Sequence, residues 1–218
     1  MINSIFNYNY YNTYLPYFRI TPESDRVTWA ITLAEAKTHL RIVSTHTDDD
    51  TYITELIKIA QSLVEAECSI YLTAQSLKAV ADQWPDNDVI DLGISSSTTT
   101  PTVKYYNDSN VLTTLVKDTD YYISNGLGVS QSLRIYPVNT WPSTFDKPDA
   151  IEIVFTSGIR STVIDDNPGV YLLGKQAMYL IIGRYFEMRQ DVVTGTMVSE
   201  MPLAAKHIMN QIKNITIC

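Results

Sequence analysis

A chain of 218 residues, 45% apolar and 18% charged, has enough hydrophobic material for one domain with a sizeable insertion or for two small ones. Its formal charge of −8 resides in residues 32–68 (three basic against seven acidic) and 69–167 (six against twelve), while residues 168–218 are net positive (five against three). An acidic body argues against a sequence-independent grip on nucleic acid, which depends on protein cations displacing counterions, but not against lining a channel through which DNA passes.

Residues 1–30 read as an N-terminal arm, rich in Asn and Tyr, broken by Pro16 and Pro22 and without a steady period. Its aromatics (Phe6, Tyr8, Tyr10, Tyr11, Tyr14, Tyr17, Phe18) suit docking on a partner; the alternative is a poorly ordered tail. Thr32 and Glu35 form a capping box that predicts a short helix to about Leu40. A Ser-, Thr- and Asp-rich loop leads to Asp48, Asp49 and Asp50, which suit the positive end of a second helix running to about Cys68. In that helix Ile53, Leu56, Ile57, Ala60, Leu63 and Val64 make the buried stripe.

From about Ala74 to Ser157 the pattern alternates, with strands expected in residues 75–84, 89–92, 102–106, 111–116, 120–124, 133–136 and 150–156. Asn107–Asn110 and Asn125-Gly126 are turn signals, and residues 95–100 read as a Ser/Thr loop. Residues 168–189 carry the strongest hydrophobic signal of the chain, a helix opened by Pro168. Leu173, Ala177, Leu180, Ile181 and Met188 recur at helical spacing, and Val170, Tyr171, Leu172, Met178, Ile182, Tyr185 and Phe186 fill most of the remaining circumference. A helix this apolar is either a central core helix or one that also packs on a neighbouring subunit. Residues 190–201 read as a loop, and Pro202 opens a last helix over 203–213. The expected fold class is α+β: a small helical bundle of two N-terminal helices (residues 31–72) and two C-terminal helices (158–218), with an all-β insertion at 73–157.

Chemistry-bearing patterns are scarce. His39, His46 and His207 lack ligand spacing, the acidic triplet lacks the rest of a calcium loop, and Gly126-Leu-Gly128 is no phosphate loop. There is no GxSxG, GKS, GKT or CxxC, so the expectation is no enzyme, no cofactor and no metal. Two cysteines, Cys68 and Cys218, do not make a secreted disulfide framework, and the chain start lacks a signal-peptide pattern. No apolar run reaches membrane-spanning length.

Thr32, Leu33, Ala34, Glu35, Ala36, Lys37, His39, Leu40 and Arg41, followed by Asp49, Asp50, Ile53, Leu56, Ile57, Ala60, Val64 and Glu65, form a pattern seen elsewhere. It resembles the opening of the head–tail connector (adaptor) proteins of tailed double-stranded DNA phages and gene transfer agents. The end is similar too: IEIVFTSGI, then Tyr185, Glu187, Arg189, Val192 and Gly195, then Pro202 and Leu203, occupy places matching the longer members. The arm has no counterpart, Phe186 and Met188 depart from the pattern, and the β insertion is divergent. The resemblance implies a structural virion protein at the head–tail junction, made in the host cytoplasm. Copies would form a ring, expected to be dodecameric, beneath the portal protein, extend the DNA channel and offer a surface to a tail or tail-completion protein. Genomic DNA would pass without sequence-specific contact, and no membrane is involved.

An acidic conduit suits that role because like charge keeps DNA off the wall. Arg184, Glu187 and Arg189 are candidates for intersubunit salt bridges, or else surface and intrachain pairs. Leu203, Ile208, Met209 and Ile212 are either the last face of the core or a helix docking on the portal. The competing class is a β-rich module of a phage tail that binds a ligand or host through Tyr105, Tyr106, Tyr121, Tyr122 and Trp141. A small DNA-binding regulator built on the first two helices is disfavoured by their negative charge.

Overall fold

The computed structural model describes residues 18–94, 100–125, 132–159, 168–188 and 202–213. The described residues form four helices and two antiparallel sheets, an α+β fold as the patterning predicts. The arm is less separate than expected: its end, β1 (Arg19–Pro22), pairs antiparallel with β2 (Gln75–Ala81) at the edge of a sheet. Helix α1 (Leu33–His39) starts at Thr32, where both hydrogen bonds of the capping box form: the Glu35 N–H donates to Thr32 Oγ1 (3.2 Å) and the Thr32 N–H to Glu35 Oε2 (2.8 Å). Helix α2 (Asp50–Cys68) buries Ile53, Leu56, Ile57, Ala60 and Val64, the stripe set by its 3.6-residue period. It stops at Ser69, whose left-handed backbone (φ 54°) ends the helix.

The β region builds two sheets. One runs β1, β2, β8 (Ile151–Ser157), β4 (Thr102–Tyr106), β5 (Leu112–Thr114); the other runs β3 (Ile90–Asp91), β7 (Leu133–Pro137), β6 (Tyr121–Asn125). Strands β2 and β8 both alternate buried and half-buried residues, as one-sided strands must. Their inward residues Leu77, Ala79, Ile151, Ile153 and Phe155 meet Ile90, Leu133 and Ile135 of the second sheet in one core. Tyr121 closes this core, 2% exposed, with its hydroxyl donating to the Pro101 carbonyl (2.7 Å).

Helices α3 (Pro168–Glu187) and α4 (Leu203–Ile212) return to α1 and α2 and complete a second, separate core. The buried stripe of α3 is Val170, Tyr171, Ala177, Met178, Ile181 and Ile182. That rotates the helix relative to the sequence reading, since Leu173, Leu180 and Met188 are only half-buried. One cause is Gly174: a Cβ there would lie 2.5 Å from the Leu72 side chain, so this bare side faces the crossover from helices to sheet.

The two cores are tied at that crossover. Glu65, buried on α2, accepts two hydrogen bonds from the Arg26 guanidinium (2.7 and 2.9 Å), one from Gln61 Nε2 (2.8 Å) and one from the Leu72 N–H (2.8 Å). Gln61 in turn accepts from the Ala30 N–H, and the Thr73 hydroxyl donates to the Thr28 carbonyl. The return strand passes close by: at Gly158 (φ +153°) a Cβ would sit 2.7 Å from the Ala74 nitrogen, so only glycine lets β8 leave the sheet here. Arg26→Ala strands Glu65 without its cation, and a loss of about 3–5 kcal/mol in denaturant unfolding is expected. Replacing Arg26 and Glu65 together by Met should cost less than the single change.

Candidate functional site

The first motif folds as a brace. Glu35, already used in the cap, also pairs with Lys175 of α3 (2.7 Å), which links the first helix to the most apolar one. Lys37 is 5% exposed; its ammonium pairs with Asp50 (2.7 Å), donates to the Ser44 carbonyl (3.2 Å) and contacts the His46 carbonyl. It thereby fastens the acidic loop to the start of α2. His39 stacks on Tyr179 of α3, with ring centroids 4.8 Å apart. The Asp triplet thus has specific partners besides the helix dipole: Asp50 meets Lys37, and Asp49 lies 3.7 Å from the His46 ring.

Burial acts to raise the Glu35 carboxyl pKa, but the Lys175 ammonium and the Thr32 donors outweigh it and hold the group below the usual glutamate value. At Glu65 burial wins over Arg26 and the other donors, and the pKa is raised. Burial also pushes the Cys68 thiol up to about 12, helped by Glu67, so this cysteine is an inert core residue. No group of His, Cys, Asp and Glu among the described residues is arranged to hold a metal ion. No described helix is long and apolar enough to cross a membrane.

The surface of the helical bundle is more informative. Leu172 is 63% exposed on α3, and Leu173 and Leu180 beside it are half-buried, with Gln176 and Glu187 exposed along the same side. Arg184, half-buried, and Glu187 sit at the C-terminal end of this side and make no ion pair among the described residues; Arg189 lies outside them. The four residues named on α4 do not share one role. Met209 (0% exposed) and Ile212 (1%) are in the helical core, Ile208 packs on its edge, and Leu203 is 77% exposed.

A shallow apolar hollow of about 190 Å³ lies between the approach to α1 and the first half of α2, lined by Trp29, Ile31, Thr32, Leu33, Thr54 and Ile57. In the β region the aromatics that would serve a ligand-binding module are mostly engaged. Trp141 stacks on Trp84 (4.4 Å) and donates to the Asp88 carbonyl (3.1 Å), Tyr105 leans on Trp84, Lys147 covers Tyr106, and Tyr121 is buried. Tyr122 alone of the five is well exposed, at 50%. Sequence reasoning passed over the exposed apolar residues of the β5 edge, Val111, Leu112 and Val116, because alternation marks them as strand without telling which strand is outermost.

Residues 30–124 match the family described as phage gp6-like head-tail connector protein. No curated protein matches the chain. Among solved structures, a chain in the neck of an empty gene transfer agent particle, computed with C6 symmetry, superposes with a TM-score of 0.69 at 18% identity, over 92% of this chain and 97% of that one. A chain in the virion of a native gene transfer agent particle gives 0.68 at 18%, over 91% and 97%. One in the neck of a native particle computed with C12 symmetry gives 0.66 at 17%, over 92% and 97%. At these identities the likeness is one of fold.

The Glu35 brace has a defined pH signature. A carboxyl held below its unfolded value contributes stability above the ordinary glutamate range and loses it as pH falls through the folded value. Glu35→Gln should therefore lower stability at neutral pH and flatten the acid side of the curve, as read by urea midpoints from neutral to acid pH. A variant curve parallel to the wild type would contradict this.

Proposed function

We propose, from the match of residues 30–124 to the phage gp6-like head–tail connector family, that this chain is a structural protein of the virion neck, assembled as a ring beneath the portal. The observation that carries this is the family match across the brace, the second helix and the first half of the β region. The ring is supported by α3: its outer side keeps Leu172, Leu173 and Leu180 incompletely covered within one copy. Repeated head-to-tail contacts between identical copies cover such a side and close on themselves. Twelve copies is the expected number, in keeping with the C12 symmetry stated for the neck whose component shares the fold.

The ring would extend the DNA channel. The β region and the first two helices carry most of the negative charge, and like charge lets DNA slide without adhering. Arg184, Glu187 and Arg189 would pair across the subunit boundary at the end of α3. The net-positive C-terminal segment would meet the portal, with Leu203 as its exposed apolar contact and Ile208 at the rim; Met209 and Ile212 support it from the core. A tail-completion protein would take the opposite face. The engaged aromatics of the β region do not favour the ligand-binding alternative.

Native mass measurement tests the ring directly: a closed assembly of many copies is expected, and a stable monomer at all concentrations and in the mature particle overturns it. Glu187→Lys and Leu172→Glu should each weaken assembly at least tenfold while leaving the monomer folded, because both side chains are exposed. Removal of residues 202–218 is a poor test of docking, since it takes core residues with it. Leu203→Asp is the cleaner variant. The ring should form normally but join portal-containing heads much less, and undiminished joining would reject Leu203 as the contact.

A further inference from the structure

We propose that the N-terminal arm of one copy adds a strand to the β5 edge of the neighbouring copy; the inference rests on the ring proposed above. The larger sheet ends in β1 on one side and β5 on the other, and among the described strands β5 pairs only with β4. An outermost strand exposes backbone donors and acceptors, and proteins usually blunt it with charge. Here the run 111–116 carries no charge and shows apolar side chains instead: Val111 is 56% exposed, Leu112 41% and Val116 57%; a charged group meets its backbone only at the far end, where Asp120 accepts from the Val116 N–H (2.7 Å).

The opposite edge supplies the occupant. Residues 1–17 lead directly into β1. Extended, they reach up to about 56 Å, whereas the four strand spacings from β1 to β5 amount to about 19 Å. The arm is therefore long enough to pass beyond its own sheet. Residues 1–17 carry no charged side chain, so they can approach an acidic neighbour without repulsion. Within them Phe6-Asn7-Tyr8-Asn9-Tyr10 alternates apolar and polar residues at the period of a strand. Aromatic side chains on an added strand pack well across from β-branched ones such as Val111 and Val116. Backbone pairing supplies the adhesion and alternate side chains the register, as in other strand additions. Donor and acceptor edges lie on opposite sides of the same sheet, so the contact is heterologous and repeats around a ring.

A benzophenone amino acid placed at Tyr8 tests this, with copies labelled with light and heavy nitrogen mixed before the ring assembles. Irradiation should join position 8 to residues 111–116 in mixed light–heavy pairs. Deletion of residues 1–15 should weaken subunit association roughly tenfold, the size expected of a few cross-strand pairs. Cross-links confined to same-label pairs show that the arm folds back on its own sheet and overturn the exchange. Adducts mapped elsewhere, or a deletion that leaves association unchanged, overturn it as well. An undeleted chain that forms no ring overturns the ring itself, and the wild-type control reveals that outcome separately.

Discussion

The buried carboxylate of Glu65 is the point on which the two halves of the molecule depend. A charge taken out of water is costly unless its acceptor sites are filled. Here they are filled by Arg26 from the chain entering the bundle, by Gln61 one turn earlier on α2, and by the Leu72 N–H at the start of the crossover into the sheet. Three segments must arrive together for any of them to satisfy the group. The planar fork of the guanidinium admits little variation in that geometry. Two hydrophobic cores that share no large packed surface are thus oriented by a polar junction, and Gly158 gives the returning strand room to pass beside it.

From this junction the bundle gains a rigid platform. The capping box, the Glu35–Lys175 pair and the His39–Tyr179 stack hold α1 on α3, while Lys37 closes the acidic loop over the start of α2. The motif of the first two helices is therefore a folding device: Glu35, Lys37, Asp49, Asp50 and Glu65 are each engaged within the chain, while Arg41 is left exposed. The proposed assembly is left to surfaces, namely the outer side of α3, the exposed Leu203 and the edges of the larger sheet. The proposed ring needs that division, because it must present the same rigid faces many times over.

The fold class and the order of elements were readable from the sequence because they follow from local periods. The 3.6-residue repeat in residues 53–64, the two-residue repeat in 75–81 and 151–157, and the Thr32–Glu35 box each report on neighbours a few positions away. The limits appeared where a helix is apolar all round. Nothing in the pattern of α3 ranks Leu173 and Leu180 below Val170 and Met178, and the choice was made by Leu72 filling the space beside Gly174. Likewise α4 was rightly read as amphipathic, yet only packing separated core Met209 and Ile212 from exposed Leu203.

The chain by itself determined its helices, its strands, the capping box of its first motif and the excess of apolar surface on one helix. Each of these is encoded within a turn or two of chain. Tertiary structure alone decided that Arg26 meets Glu65, that the end of the arm becomes an edge strand, and that β5 closes the opposite side of the sheet. Those pairings join residues tens of positions apart. They are selected by which combination buries apolar area while leaving no charge unanswered, a condition of the whole fold and not of any one segment.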